Sequence, residues 1–156
     1  MKYYCQYSSP MGALFLGEEY GLLRLLVFGE DDPRLQDYVS RITPSLEKAQ
    51  QELDEYFAGK RQRFDLPHEV QGTEFQKRVW QELQTIPYGE TRSYKDIAKQ
   101  VQSPLASRAV GLANNKNPIS IIIPCHRVVG QNGKLTGYAG GLAAKEYLLD
   151  LEQRCV

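Results

Sequence analysis

The chain has 156 residues, of which 42% are hydrophobic and 24% charged, a composition typical of a globular protein and not of a disordered one. That length suits one compact domain or two small ones. No apolar run approaches the roughly 20 residues that span a bilayer, and the N-terminal segment lacks the features of a secretory signal. We therefore expect a cytoplasmic protein, or a nuclear one in a eukaryote.

The net charge of zero hides an asymmetry between the two halves. Residues 1–70 carry 8 basic and 12 acidic side chains, whereas residues 71–156 carry 11 basic and 7 acidic ones. Within residues 92–134, seven basic residues accompany a single acid, Asp96. Such a basic stretch is typical of a surface that binds a phosphate backbone. Charge alone leaves a merely solvated basic face as the alternative.

The first half predicts a small antiparallel sheet followed by one helix. Three strand-like segments are separated by turn-rich sequences: KYYCQYS, ALFLG and LLRLLVFG. Thr43 is a suitable N-cap for the helix, Pro44 suits its first position, and Gly59 is a natural stop. No cluster of reactive side chains occurs here, so we interpret this half as a scaffold.

The pattern changes near residue 70, where we place a domain boundary. The next helix begins at Thr73, three residues before Gln76, as in a capping box. Ser93 starts a short helix, and Ser103–Pro104 start another. Two short helices with a tight connection predict a helix-turn-helix whose second helix is the recognition helix, although such a pair can also serve packing alone.

The remaining segments predict a buried strand, a hairpin and a closing helix. The β-branched run ISIII favours a buried strand, and Asn132-Gly133 favours a hairpin turn that would form a wing. The apolar face of the closing helix has four members: Leu142, Tyr147, Leu148 and Leu151. We expect an α+β fold, with a sheet-and-helix scaffold domain over 1–70 and a mainly helical, winged helix-turn-helix-like domain over 71–156.

One thiol stands out in the segment SIIIPCHRVVG, where Cys125 ends an apolar run and His126 follows it. A cysteine thiol has an ordinary pKa of about 8.5, so it needs assistance to act as a nucleophile at neutral pH. Three carboxylates of the closing helix could orient His126, and spacing does not choose among them: Glu146, Asp150 and Glu152. Catalysis by Cys125 and His126 and a buried structural cysteine both remain open.

The other cysteines, Cys5 and Cys155, have no polar partner close in sequence and are interpreted as inert thiols. Three cysteines in a chain without a secretory signal argue against a disulfide framework. The chain has no CxxC pair and only two histidines, so we expect no zinc site.

NPISIIIPCHRVVG followed by GYAGGLAAKEYLLDLE closely resembles the O6-alkylguanine-DNA alkyltransferases, also called methylated-DNA–protein-cysteine methyltransferases. The resemblance spans residues 73–152 through TEFQKRVW, IPYGETRSY and SRAVGLANNKNP, and covers the first half more weakly. It implies DNA repair by one irreversible transfer of an alkyl group from O6-alkylguanine to the protein, with O4-alkylthymine as a further conceivable substrate. It also implies no cofactor, a monomer, and double-stranded DNA bound through its minor groove with the damaged nucleotide flipped out.

The resemblance assigns four catalytic positions. Cys125 corresponds to the alkyl acceptor, and His126 to the base that acts on it through a water molecule. Glu152 falls at the position of the carboxylate partner of that histidine. Asn117 matches the asparagine that ties the recognition-helix segment to the active-site strand. No chemical role follows for Arg127.

The resemblance also assigns contacts with DNA. Tyr94 matches the tyrosine that promotes rotation of the nucleotide, Arg108 the arginine that replaces the extruded base, and Tyr138 a hydrogen-bond donor to the departing O6. Guanine would be read by backbone groups of three residues: Cys125, Val128 and Ala139. The DNA-binding residues would be Ser93, Ser107 and Arg108.

Two further interpretations remain. A thiol hydrolase would use Cys125 and His126 on an acyl substrate, and a non-catalytic DNA-binding or lesion-binding protein would treat Cys125 as part of its core. Ser120 and Thr136 stand at pocket positions where related proteins have Pro and Gly, which leaves the acceptance of bulky alkyl groups open.

Overall fold

The computed structural model describes all 156 residues, which form two compact units, Met1–Val70 and Gln71–Val156. A four-stranded sheet dominates the first unit and helices dominate the second. The α+β fold predicted from the sequence is confirmed. None of the helices has the length and apolar character needed to cross a membrane.

The first unit is a sheet with one helix packed on it. Strands β1 (Lys2–Ser9), β2 (Gly12–Glu19) and β3 (Leu22–Val27) pair antiparallel in chain order. The short β4 (Val39–Ser40) adds to β1 in parallel, so the sheet order is β3-β2-β1-β4. Helix α1 (Pro44–Phe57) contacts the three long strands. With two residues, β4 is too short to show a period-2 pattern in the sequence.

The signals that predict α1 act as expected. Thr43 Oγ1 accepts a hydrogen bond from the Leu46 amide, and Pro44 occupies the first helical position. The chain leaves the helix at Gly59, whose φ of +75° suits a residue without a Cβ. Leu46, Leu53 and other apolar side chains of this unit are buried, so the helix is held by its apolar face.

The second unit contains four helices: α2 (Glu74–Leu83), α3 (Tyr94–Gln100), α4 (Ser107–Asn115) and α5 (Leu142–Arg154). The predicted capping box of Thr73 and Gln76 is present at the start of α2. Helices α2 and α3 both pack against α4, and Trp80 Nε1 donates a hydrogen bond of 2.8 Å to the Ala113 carbonyl. Helix α4 is therefore fixed on its inner face by two neighbours.

Helix α4 begins later than its sequence signal predicts. The Ala106 amide donates to the Ser103 carbonyl at 2.8 Å, so residues 103–106 form a turn and the helix starts at Ser107 without a side-chain cap. The Ser103–Pro104 pair thus marks the turn of the helix-turn-helix. Leu105 in this turn is fully exposed.

The apolar run before Cys125 is buried, as expected, but the predicted strand is wrong. Ile121 has a φ of +74°, which is rare for a β-branched residue, and it reverses the chain. The Ile123 amide consequently donates to the Ile119 carbonyl at 3.0 Å. A run of β-branched residues predicts that the segment is buried, but it does not determine the backbone conformation, which depends here on tertiary contacts.

The Asn132-Gly133 turn is present, but its arms do not form a hairpin. Both residues have positive φ, and the Gly130 amide donates to the Lys134 carbonyl at 2.7 Å. The residues before the turn instead form β6 (Val128–Val129), which pairs in parallel with β5 (Arg92–Ser93). The turn predicted at Asn132-Gly133 is therefore confirmed, whereas the predicted hairpin is wrong. Tertiary packing pairs β6 with β5 instead.

Candidate active site

Cys125 opens a short 3-10 helix, Cys125–Arg127, directly after the turn at Ile121. Its amide donates to the Ile123 carbonyl at 2.7 Å, and the residue is only 2% exposed. The tight backbone places the thiol and the following side chains in a buried environment. Successive residues of a 3-10 helix diverge by about 120°, so Cys125 and His126 point in different directions.

Two asparagines at the end of α4 hold this segment in place. Asn117 Nδ2 donates to the Ile123 carbonyl at 2.7 Å, and its Oδ1 accepts from the Ile119 amide at 3.0 Å. Asn114 Nδ2 donates to the Cys125 carbonyl at 3.2 Å. Asn117 therefore connects the chain just after α4 to the segment that carries Cys125. Asn114 was not anticipated from the sequence.

His126 and Glu152 form a buried pair. His126 Nε2 lies 2.7 Å from Glu152 Oε2, and both side chains are at most 1% exposed. Of the three carboxylates considered on α5, Glu152 is the one that contacts the imidazole. Burial lowers the pKa of His126, although the hydrogen bond with Glu152 opposes that effect. Burial opposes ionisation of Glu152, but His126 and Arg127 outweigh it and hold the pKa of that carboxyl well below its usual range.

The Cys125 thiol is a poor acid in this environment. Burial raises the pKa of Cys125, while hydrogen bonds with Asn117 and Ser120 and the charge of Lys145 act in the opposite direction. Burial, and after it the interaction with Cys125, raises the pKa of Tyr138 well above its usual value. Both groups are therefore protonated at neutral pH in the unliganded protein.

A second set of contacts joins the loop before α5 to the start of α3. Lys145 Nζ donates to the Thr136 carbonyl at 2.9 Å and lies 6.0 Å from the centre of the Tyr94 ring. The Thr136 hydroxyl donates to Tyr94 Oη at 3.0 Å. Tyr94, a predicted substrate contact, is thus held from two sides.

The other predicted contacts are spread over several elements of the second unit. Arg108 is exposed in the first turn of α4, and Ser107 before it is half-buried. The Ser93 hydroxyl caps α3 by accepting from the Asp96 amide at 3.0 Å. Val128 lies buried in β6, whereas Ala139 is exposed. Among the predicted site residues, Asn117 and Tyr138 interact with the Cys125 thiol.

The buried face of α5 differs from the predicted one. Leu148 and Leu151 are buried, but Leu142 is 50% exposed, and the charged residues Lys145 and Glu152 lie inside. Lys145 follows Ala144 and precedes Leu148 by three residues, so its position in the sequence places it on the apolar face of α5. Arg127, counted in the basic stretch of residues 92–134, is also buried, so it contributes no charge to the surface.

The remaining thiols lie apart from this arrangement. Cys5 is buried in β1, where Gln50 Nε2 lies 3.5 Å from its sulfur, and burial raises the pKa of Cys5 to about 11. Cys155 is half-buried at the end of α5. No group of three or more His, Cys, Asp or Glu side chains is placed to hold a metal ion.

Two family models match the chain, and together they cover both units. Residues 2–70 match the 6-O-methylguanine DNA methyltransferase ribonuclease-like domain, and residues 74–154 match the 6-O-methylguanine DNA methyltransferase DNA binding domain. These matches cover most of the chain.

Similar proteins and structures agree with the family models. The methylated-DNA–protein-cysteine methyltransferase of Methanosarcina acetivorans is 51% identical over 155 residues, covering 98% of this chain and 99% of its own. The constitutive enzyme of Bacillus subtilis is 46% identical over 159 residues, covering 98% of this chain and 96% of its own. The Mycobacterium tuberculosis O6-methylguanine methyltransferase crystal structure is 46% identical, with a TM-score of 0.93 over 100% of this chain and 95% of that one. The same mycobacterial protein in complex with DNA is 47% identical, with a TM-score of 0.92 over 99% of this chain and 94% of that one. The resemblance seen in the sequence is confirmed, and the chain belongs to the methylated-DNA–protein-cysteine methyltransferases.

Proposed function

We propose that this protein repairs DNA by transferring the alkyl group of O6-alkylguanine to its own Cys125. The observation that carries the proposal is the buried Cys125 beside a hydrogen-bonded His126–Glu152 pair, in a chain that matches this family over nearly its whole length. The expected partner is double-stranded DNA, and the compartment proposed for the protein is the cytoplasm, or the nucleus in a eukaryote.

The transfer begins with removal of the thiol proton. His126 Nε2 faces Glu152, which favours the tautomer with a proton on Nε2 and a lone pair on Nδ1. His126 Nδ1 is buried and has no hydrogen-bond partner in the protein, which supports a role as base through one water molecule. The Cys125 proton passes by that water to Nδ1, and Glu152 stabilises the imidazolium that forms. Asn117, Ser120 and Lys145 stabilise the resulting thiolate.

The thiolate then displaces the guanine in line. A carbon–sulfur bond forms between Cys125 Sγ and the alkyl carbon, the bond from that carbon to O6 breaks, and its electron pair moves onto the guanine. Tyr138 supplies a hydrogen bond to the departing O6, which makes guanine a better leaving group. The thioether has no partner that reverses it, so each protein molecule reacts once.

The DNA contacts proposed for this chain centre on α4. An O6-alkyl group inside a duplex is out of reach of a buried thiol, so the nucleotide must be flipped out. Arg108 is exposed in the first turn of α4, where it can take the place of the extruded base. Lys95, Lys99 and Lys116 are also exposed in this unit and can bind phosphates. The proposed division of labour leaves the unit over residues 1–70 as a scaffold.

Labelled O6-methylguanine in a duplex oligonucleotide tests the proposal. We expect one label per protein molecule, located on Cys125, and none on Cys125→Ser. Cys155→Ser is the matched control because it removes a thiol outside the site, and it should accept label like the unmodified protein. Label that stays on the DNA indicates a non-catalytic lesion-binding protein. Turnover of an acyl ester without labelling indicates the thiol hydrolase. Either result overturns the proposed function.

A further inference from the structure

Arg127 is a buried charged residue of the site, and none of the steps described above involves it. Its guanidinium donates two hydrogen bonds to the carboxylate of Glu152, from Nε to Oε1 at 2.8 Å and from Nη2 to Oε2 at 3.0 Å. Nη1 donates to the Ile86 carbonyl at 2.8 Å, and the guanidinium lies 5.6 Å from the centre of the Tyr88 ring. Three hydrogen bonds and an aromatic ring thus fix its position.

The oxygen Oε2 of Glu152 is shared between two partners. It accepts from Arg127 Nη2 and also lies 2.7 Å from His126 Nε2. The planar, bidentate pair fixes the plane of the carboxylate, which in turn sets the direction from which the imidazole is held. The same pair neutralises a carboxylate that would otherwise be an uncompensated buried charge.

We propose that Arg127 is a positioning residue of the alkyl transfer: it orients Glu152 toward His126 and compensates its charge, so that His126 remains a neutral base in the resting protein. This inference rests on the proposed function of the site. Arg127 touches neither the thiol nor the flipped base in this scheme, and it acts only through Glu152.

The charges around His126 decide what removing Arg127 does. Glu152 favours the imidazolium, whereas Arg127 beside it and Lys145 on α5 disfavour it. Helix α2 also packs against the 3-10 helix, and its buried residues Val79, Trp80 and Leu83 carry no charge. Without the guanidinium, Glu152 acts on His126 undiminished, so the imidazole takes up a proton at a higher pH and loses its lone pair there.

The single-turnover rate constant for label transfer, measured against pH at saturating duplex, tests this role. The rate constant should fall at low pH, where His126 takes up a proton, and we call this part of the profile its acid limb. Arg127→Gln should move the acid limb to a higher pH, by about 1 pH unit. Arg127→Lys keeps the charge but cannot bridge both oxygens, so its acid limb should stay at the unmodified position while its plateau rate falls. The labelled fraction of the protein reports folding separately from the rate constant.

A purely structural role predicts a different result. It lowers the labelled fraction and leaves the acid limb of Arg127→Gln in place, and that outcome overturns the inference. If Arg127→Gln yields no folded protein, the double variant Arg127→Gln/Glu152→Gln, which removes both charges, carries the test. Its acid limb should lie at or below the unmodified position, and a limb above that position refutes charge compensation. Failure of the unmodified protein to accept label refutes the proposed function itself.

Discussion

The Asn117 side chain closes two gaps in backbone hydrogen bonding that the turn before Cys125 creates. Because Ile121 reverses the chain, the Ile119 amide and the Ile123 carbonyl have no neighbouring strand to pair with, and Asn117 pairs with both. Buried polar backbone groups are costly when unpaired. One amide side chain therefore stabilises a conformation that the sequence of the turn would not adopt by itself.

Asn117→Ala should lower the free energy of unfolding by about 1–3 kcal/mol, because it leaves a buried donor and a buried acceptor without partners. Urea denaturation measures the change. Asn115→Ala on the exposed side of α4 is the matched control and should change it by no more than about 0.5 kcal/mol. Equal losses in both variants contradict this account of Asn117.

Helix α4 has one face that is packed against neighbouring elements and one face that is exposed to solvent. Trp80, α3 and the asparagines hold the inner face, while Arg108 and Leu112 are exposed on the outer one. A helix anchored in this way can present an arginine to DNA without moving the thiol segment. In the proposed function, the outer face of α4 contacts DNA, while Asn114 and Asn117 at its C-terminal end hold the segment that carries Cys125.

Arg108→Ala should slow repair of O6-methylguanine in duplex DNA by tenfold or more, on the order of 1–2 kcal/mol, while it leaves the reaction with free O6-alkylguanine nearly unchanged. The base is already outside a helix in the second substrate, so nothing has to replace it. Lys116→Ala removes a basic residue from the other end of α4 and should weaken duplex binding without this selectivity. Equal slowing by Arg108→Ala on both substrates rules out a role in flipping.

At the scale of the whole molecule, the buried His126–Glu152–Arg127 cluster links stability to pH. Both pKa shifts are downward, for His126 from 6.5 and for Glu152 from 4.5. The unfolded chain therefore binds protons that the folded protein excludes, first at His126 and then at Glu152. Stability is fully present above the ordinary pKa of histidine and is lost as the pH falls below it.

We expect the urea concentration at the midpoint of unfolding to be nearly constant between about pH 8 and about pH 7. It should fall progressively below about pH 6.5. Equilibrium denaturation at a series of pH values measures it. His126→Gln should flatten the curve below about pH 6.5, because the histidine whose pKa is lowered on folding is gone. An unchanged slope in that variant assigns the acid sensitivity to other residues.

The local signals in the sequence were sufficient to locate most helices and to single out the Cys125 thiol as a candidate. Thr43, Thr73 and Ser93 mark helix starts because their side chains cap amides within three residues, which is a contact between sequence neighbours. Cys125 and His126 are adjacent, and the surrounding motif identifies the family. The α+β fold and the family were therefore accessible without a structure.

Tertiary structure alone decided how the site is held. Ile121 adopts a left-handed conformation, Lys145 is buried beside apolar residues of α5, and Arg127 binds Glu152, 25 residues away. Each of these depends on groups that are distant in sequence, because a buried charge or a strained residue persists only when its surroundings compensate it. The sequence by itself determined the family and the residues for which we propose a reaction, whereas packing determined how those residues are oriented and which groups surround them.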